Sequence, residues 1–162
     1  MSLPAVAGPI TANLGWQSDV LNTAGGATAG SAYTFSLEAG QTASFKVTDQ
    51  FVIGDSFWLH NAASVLLATS SAFVGSANAI IGDGNGETGW LSAAYEKFEY
   101  NFSGAGDYSF SIFGDGVGGV PAGLFVRLDV VEGLAVPEPG SLALLSLGLI
   151  GLAAAARKRK QA

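Results

Sequence analysis

Apolar and polar residues alternate with a period of two along much of this chain. Tyr33, Phe35 and Leu37 are separated by Thr34 and Ser36, and after Glu38-Ala39-Gly40-Gln41 the alternation resumes at Phe45 and Val47. Only an extended strand places residues i and i+2 on one face, so this stretch is predicted as a hairpin with a longer loop. Phe98, Tyr100 and Phe102 repeat the pattern, Gly104-Ala105-Gly106-Asp107 turns the chain, and Tyr108, Phe110 and Ile112 follow, which predicts a second hairpin. Leu124, Val126, Leu128 and Val130 predict a late strand. Phe57–Leu59 and Val65–Ala68 fill the middle, joined near His60 to Ser64. Trp58 stands between Phe57 and Leu59 and points outward if those two face a core. The only helical candidate in the body is Trp90 to Glu96, two turns at most. Six or seven short strands with Gly-rich turns predict an all-β, antiparallel β-sandwich of jelly-roll type over residues 14–133.

Composition sharpens this picture. The chain has 162 residues, of which 23 are glycine and only 12% are charged, against a usual charged share of about a quarter. Few charges argue against disorder. All 13 acidic residues precede position 139, where the only basic ones are Lys46, Lys97 and Arg127, so that part carries a net charge of −10. An acidic body disfavours nucleic acid, whose phosphates need a basic patch. No cysteine is present, which excludes disulfides, thiolate catalysis and Cys-based metal sites.

The end of the chain is of another kind. Residues 140–156, GSLALLSLGLIGLAAAA, carry no charge and are followed by Arg157-Lys158-Arg159-Lys160. As a helix this run is about 25 Å long, short but sufficient for a bilayer core of about 30 Å. A transmembrane helix is therefore expected, with the basic cluster keeping its C-terminus cytoplasmic and the body outside. Immediately before it, Pro137-Glu138-Pro139 forces an extended local chain. The three parts together, from Val136 to Lys160, resemble the PEP-CTERM sorting signal of Gram-negative bacteria, which assigns residues 134–162 to that signal. That resemblance implies recognition by an exosortase, a membrane-embedded transpeptidase, with Pro137, Glu138 and Pro139 as substrate motif and residues 140–160 as a transient inner-membrane anchor. It implies an exported, non-enzymatic surface or matrix protein associated with exopolysaccharide and biofilm. The body, on Tyr33–Leu37, Phe45–Asp49, Gly54–Phe57 and Leu66–Ser70, is also similar to the ectodomains that accompany such tails, which implies a sandwich and no catalytic residues. At the other end, Ala5-Val6-Ala7 has the form of a signal-peptidase site. Residues 1–13 read either as the remnant of a longer signal peptide or as a plain flexible terminus.

Motifs for chemistry are sparse. His60 is the only histidine, and no Gly-x-Ser-x-Gly supplies a nucleophile for it. Two Gly-x-Gly-x-x-Gly matches, at Gly84 and Gly114, lack the alternating strand and helix a dinucleotide fold requires. No catalytic residue and no organic cofactor are expected. Asp83, Asn85 and Glu87 alternate with glycines in a way that could wrap Ca²⁺, although a calcium loop wants a bidentate glutamate where Ala94 stands. Trp16, Trp58 and Trp90 are flat aromatic surfaces against which sugar rings can stack. A carbohydrate-binding module holding exopolysaccharide through Trp58 and Trp90 is thus the alternative reading of the body, with core packing as the plainer role for each ring.

Overall fold

A computed structural model describes residues 8–71 and 84–133. Within them the chain forms β1 (Gln17–Leu21), β2 (Tyr33–Leu37), β3 (Gln41–Asp49), β4 (Ser56–Asn61), β5 (Leu66–Thr69), α1 (Gly86–Leu91), β6 (Lys97–Ser103), β7 (Gly106–Asp115) and β8 (Ala122–Glu132). The strands make two four-stranded sheets in the orders β1-β8-β3-β6 and β2-β7-β4-β5, and every strand pair is antiparallel. The all-β, two-sheet expectation therefore holds for the body. The transmembrane helix expected over 140–156 lies outside the described residues, and among those described no helix is long and apolar enough to cross a membrane.

The strands predicted from the sequence are all present, but two of the predicted pairings are not. β2 and β3 were expected to form a hairpin; instead β2 pairs with β7 and β3 with β6 and β8, in the opposite sheet. The second expected hairpin fails likewise, since β6 and β7 also lie in different sheets. Alternation states which side chains face inward, and both arrangements satisfy it. What differs is whether the turn keeps the chain in its own layer or carries it over the core, and a glycine-bearing turn permits either. Among the described residues only β4 and β5 form a hairpin between chain neighbours, closed by Asn61, whose Oδ1 accepts from the N–H groups of Ala63 and Val65. β1 was not anticipated: Gln17-Ser18-Asp19-Val20-Leu21 has no alternation, and it pairs with β8 through its backbone.

The expected helix over Trp90–Glu96 begins earlier. Asn85 is its N-cap, its side-chain oxygen accepting from the N–H groups of Glu87 and Thr88. The helix ends at Leu91 because Ser92 is already extended. Tyr95 and Glu96 are buried beyond it, on the way into β6.

The core is aromatic at its centre. Phe45 and Phe102 from one sheet meet Tyr33, Phe35 and Phe110 from the other. Phe110 lies 4.6 Å from Phe45 edge-on, 5.3 Å from Phe102 and 5.6 Å from Tyr33, ring centre to ring centre. Val47, Phe57, Leu59, Ile112, Leu124, Val126 and Leu128 extend this contact along the sandwich. Replacing Phe110 by alanine removes the ring on which both sheets close and should cost about 3–5 kcal/mol of unfolding free energy. Alanine at Val131, which is 61% exposed, should change it by less than about 0.5 kcal/mol. Urea unfolding of the two variants measures both.

Candidate functional site

Three places on the body gather chemistry. The first is the outer face of the β1-β8-β3-β6 sheet, where α1 sits. Lys46 on β3 lies opposite Arg127 on β8 and Glu99 on β6, so alternate residues of three strands carry charge on this face. Trp16, just before β1, lays its ring over the start of α1. A side chain at Gly86 would meet the Trp16 ring at 2.5 Å, and one at Gly89 would meet Thr48 Oγ1 at 3.0 Å, so both glycines are needed for the helix to lie this close. Trp16 and Trp90 pack at 5.8 Å with planes tilted by 43°. Lys46 and Lys97 place their ammonium groups 5.5 and 5.7 Å from the Trp90 ring centre, and the Arg127 guanidinium lies 5.9 Å from Trp16. Trp16 Nε1 donates to Glu87 (2.9 Å), Arg127 donates to Asp129 (2.8 Å) and pairs with Glu87 (3.5 Å), and Lys46 pairs with Asp129 (3.3 Å). Lys97 donates to the Trp90 and Ser92 carbonyls at the end of α1, where a cation also suits the helix dipole. Burial holds the Lys97 amine below its ordinary range. All three basic residues of the body thus meet here, each already matched by carboxylate, carbonyl or ring.

The second place is the outer face of the other sheet. Phe57 and Leu59 are fully buried, and Trp58 between them turns outward, half-buried, as the alternation requires. Its strand neighbours are Phe113 on β7 and Thr69 on β5. His60, two residues on, rests its ring on Phe113 at 5.1 Å. Trp58 and Trp90, considered together from the sequence, therefore lie over different sheets. The ring beside Trp90 is Trp16.

The third place was not anticipated. Asp49 at the end of β3, Asp55 before β4 and Glu96 before β6 are buried to 1%, 2% and 3% exposure. Main-chain N–H groups answer them: Gln50 and Asp55 donate to Asp49, Val117 to Asp55 and Gly54 to Glu96. Burial, and then the facing Asp55 carboxyl, push the Asp49 carboxyl up to about 9. Burial also raises Asp55, with the charge of Glu96 adding to it, and burial raises Glu96. A cavity of about 160 Å³ opens beside Asp55, between Gln50, Phe51, Val52 and Pro121. Among the described residues no group of three or more His, Cys, Asp or Glu side chains is arranged to hold a metal ion. Across the molecule, burial and the Asp19 carboxylate keep the Tyr33 phenol protonated well above its ordinary range, in a hydrogen bond to Asp19.

Of the residues considered for Ca²⁺, Asn85 uses its side-chain oxygen to cap α1 and Glu87 binds Trp16 and Arg127. Asp83 lies outside the described residues, as do Pro137, Glu138 and Pro139.

Residues 135–160 match the family described as the PEP-CTERM protein-sorting motif. The chain carries a PEP-CTERM tail. The match covers the Pro-Glu-Pro, the apolar run and the basic cluster, and it marks an exported protein whose C-terminus is sorted through an exosortase. The PEP-CTERM tail begins three residues after β8 ends at Glu132, so the sorted segment follows the folded body almost directly. No curated protein matches the chain. Among solved structures, the body is similar to the pre-peptidase C-terminal domain of collagenase from Bacillus anthracis, at 15% identity and a TM-score of 0.45, over 79% of this chain and 99% of that one.

The buried acids set a pH dependence of defined sign. In the unfolded chain a carboxyl releases its proton near pH 4, whereas folded Asp49 holds it to about 9. Between those values the folded state binds more protons, so stability is full below the unfolded value and is lost as the pH climbs toward 9. The thermal midpoint should fall steadily from pH 5 to pH 9. Asp49→Asn should flatten that slope and melt higher than the unsubstituted chain at pH 8. A midpoint rising over this range would contradict the assignment.

Proposed function

We propose that the body is a non-enzymatic cell-surface or extracellular-matrix domain, delivered by its PEP-CTERM tail and released from the membrane by cleavage near Pro137-Glu138-Pro139. On this reading residues 140–160 span the inner membrane once, with Arg157–Lys160 on the cytoplasmic side, until an exosortase cuts the extended stretch before them. The observation that carries the reading is the match of residues 135–160 to the sorting family immediately after the last strand. The association we assign to the body is with exopolysaccharide and biofilm matrix. A structural role is supported by where the one histidine goes. Its ring packs on Phe113 on the outer face of a sheet, while the buried carboxyls, whose proton affinity burial raises, lie among main-chain N–H groups.

A second reading, that the body binds carbohydrate through exposed tryptophan, is favoured by Trp58, whose ring turns away from the core beside a second aromatic residue. The two readings are compatible, since a matrix protein gains from holding the matrix.

The C-terminus of the protein isolated from its native host tests the principal reading. Mass spectrometry should find the chain ending near residue 138, with the apolar run and Lys160 gone. Pro137→Ala together with Glu138→Ala should leave the tail attached and the protein in the membrane fraction. A native protein that retains Lys160 would establish a permanent anchor and overturn the release step.

A further inference from the structure

The two outer faces of the sandwich differ in chemistry, and the geometry points to the outer face of the β2-β7-β4-β5 sheet, centred on Trp58, Phe113 and His60, as a binding surface for an uncharged polysaccharide. This rests on the carbohydrate-binding reading above and goes further by choosing the face, the residues and the charge class of the sugar.

The face is built by register. Trp58 stands opposite Phe113 and Thr69, and His60 opposite Ser111 and Leu66. Three half-buried rings thus lie side by side on adjacent strands of one sheet, with the exposed Leu66 beside them. Around them the outward positions are small hydroxyl residues: Ser56 on β4, Ser109 and Ser111 on β7, Thr34 on β2 and Thr69 on β5. A sugar ring offers an apolar C–H face to an aromatic plane and hydroxyls to its surroundings, and an aromatic centre with hydroxyls around it answers both. The indole nitrogens differ in the same sense. Trp16 Nε1 is committed to Glu87, whereas among the described residues the Trp58 indole N–H has no protein acceptor.

Charge selects the ligand class. Lys46, Lys97 and Arg127, the basic residues of the described body, all belong to the opposite sheet, and none reaches this face. The charges that do flank it are carboxylates at the two ends of β7: Asp107 opposite Ser36 and Asp115 opposite Ser56. With His60 neutral, a uronate or sulfated chain laid along the face would meet two like charges and no counter-charge, so it is disfavoured, whereas a neutral chain is not. Trp90 is a poorer platform, because Trp16, Lys46 and Lys97 already stand against its ring.

The test uses the full chain in mild detergent and a fixed panel of neutral glycans (cellulose, xylan, mannan and a β-1,3-glucan), with polygalacturonate as the anionic member. Retention on at least one neutral glycan is expected, with little on polygalacturonate. Trp58→Ala should weaken that retention by about tenfold or more, as loss of a central aromatic anchor does, and Phe113→Ala by less. Trp90→Ala and Arg127→Ala should leave it unchanged. Because Trp58 points outward its alanine variant should still fold, and an unaltered thermal midpoint verifies this. Independently, in a Trp16→Phe, Trp90→Phe chain the remaining indole should shift its fluorescence to the blue as the retained glycan is added. Loss of binding on Trp90→Ala with none on Trp58→Ala, or preference for polygalacturonate, would overturn this inference and leave carbohydrate binding standing. No retention on any member of the panel would overturn both.

Discussion

The structure depends on the contact of Phe110 with Phe45 and Phe102 across the two sheets. Each strand of such a sandwich is amphipathic, and neither sheet can bury its apolar face alone. Because β2 crosses to β3 and β6 crosses to β7, chain neighbours stand on opposite sides of this aromatic contact rather than beside one another. The core therefore does what tight hairpins do in simpler sheets: it fixes which segments face each other. Everything on the outer surfaces inherits its register from that closure, including the pairing of Lys46 with Arg127 and of Trp58 with Phe113.

Much of this was legible in the sequence. Alternation at Tyr33–Leu37, Phe98–Phe102, Tyr108–Ile112 and Leu124–Val130 located four strands and their inward faces, and it correctly turned Trp58 outward. Pairing was not legible, because a period of two is the same for a hairpin and for a crossing between sheets. β1 was hidden for a related reason: an edge strand held by backbone bonds to β8 needs little apolar patterning. The start of α1 had a readable signal, since an asparagine before a short segment containing Glu87 is a favoured N-cap. The two glycines that follow obscured it, and their purpose is visible only once Trp16 lies across Gly86.

The candidate sites divide along the same line. Trp58 was found because its role depends on its immediate neighbours. The partnership of Trp16 with Trp90 could not be, since the two are brought together only by the folding of β1 against β8 and of α1 over β3. The buried acids escaped notice because Asp49 ends a strand, Asp55 follows a glycine and Glu96 precedes a strand. In sequence all three read as the polar ends of elements. Their burial arises at one end of the sandwich, where the β3–β4 connection and the approach to β6 converge.

One feature of the last strand bears on how the body and tail work together. β8 is not at an edge: it runs for eleven residues between β1 and β3, bonded to both, and Asn13 fastens the entering chain to its end through the carbonyls of Leu128 and Val130 and the N–H of Val130. The PEP-CTERM tail follows from the far end of this strand. A pull along the strand axis from that end would make β8 slide past two neighbours at once, with many bonds resisting together. An edge strand would instead peel away one bond at a time. The tail thus continues a central strand bonded on both sides, which suits a domain that, on the function proposed above, is first tethered to one surface and then drawn toward another.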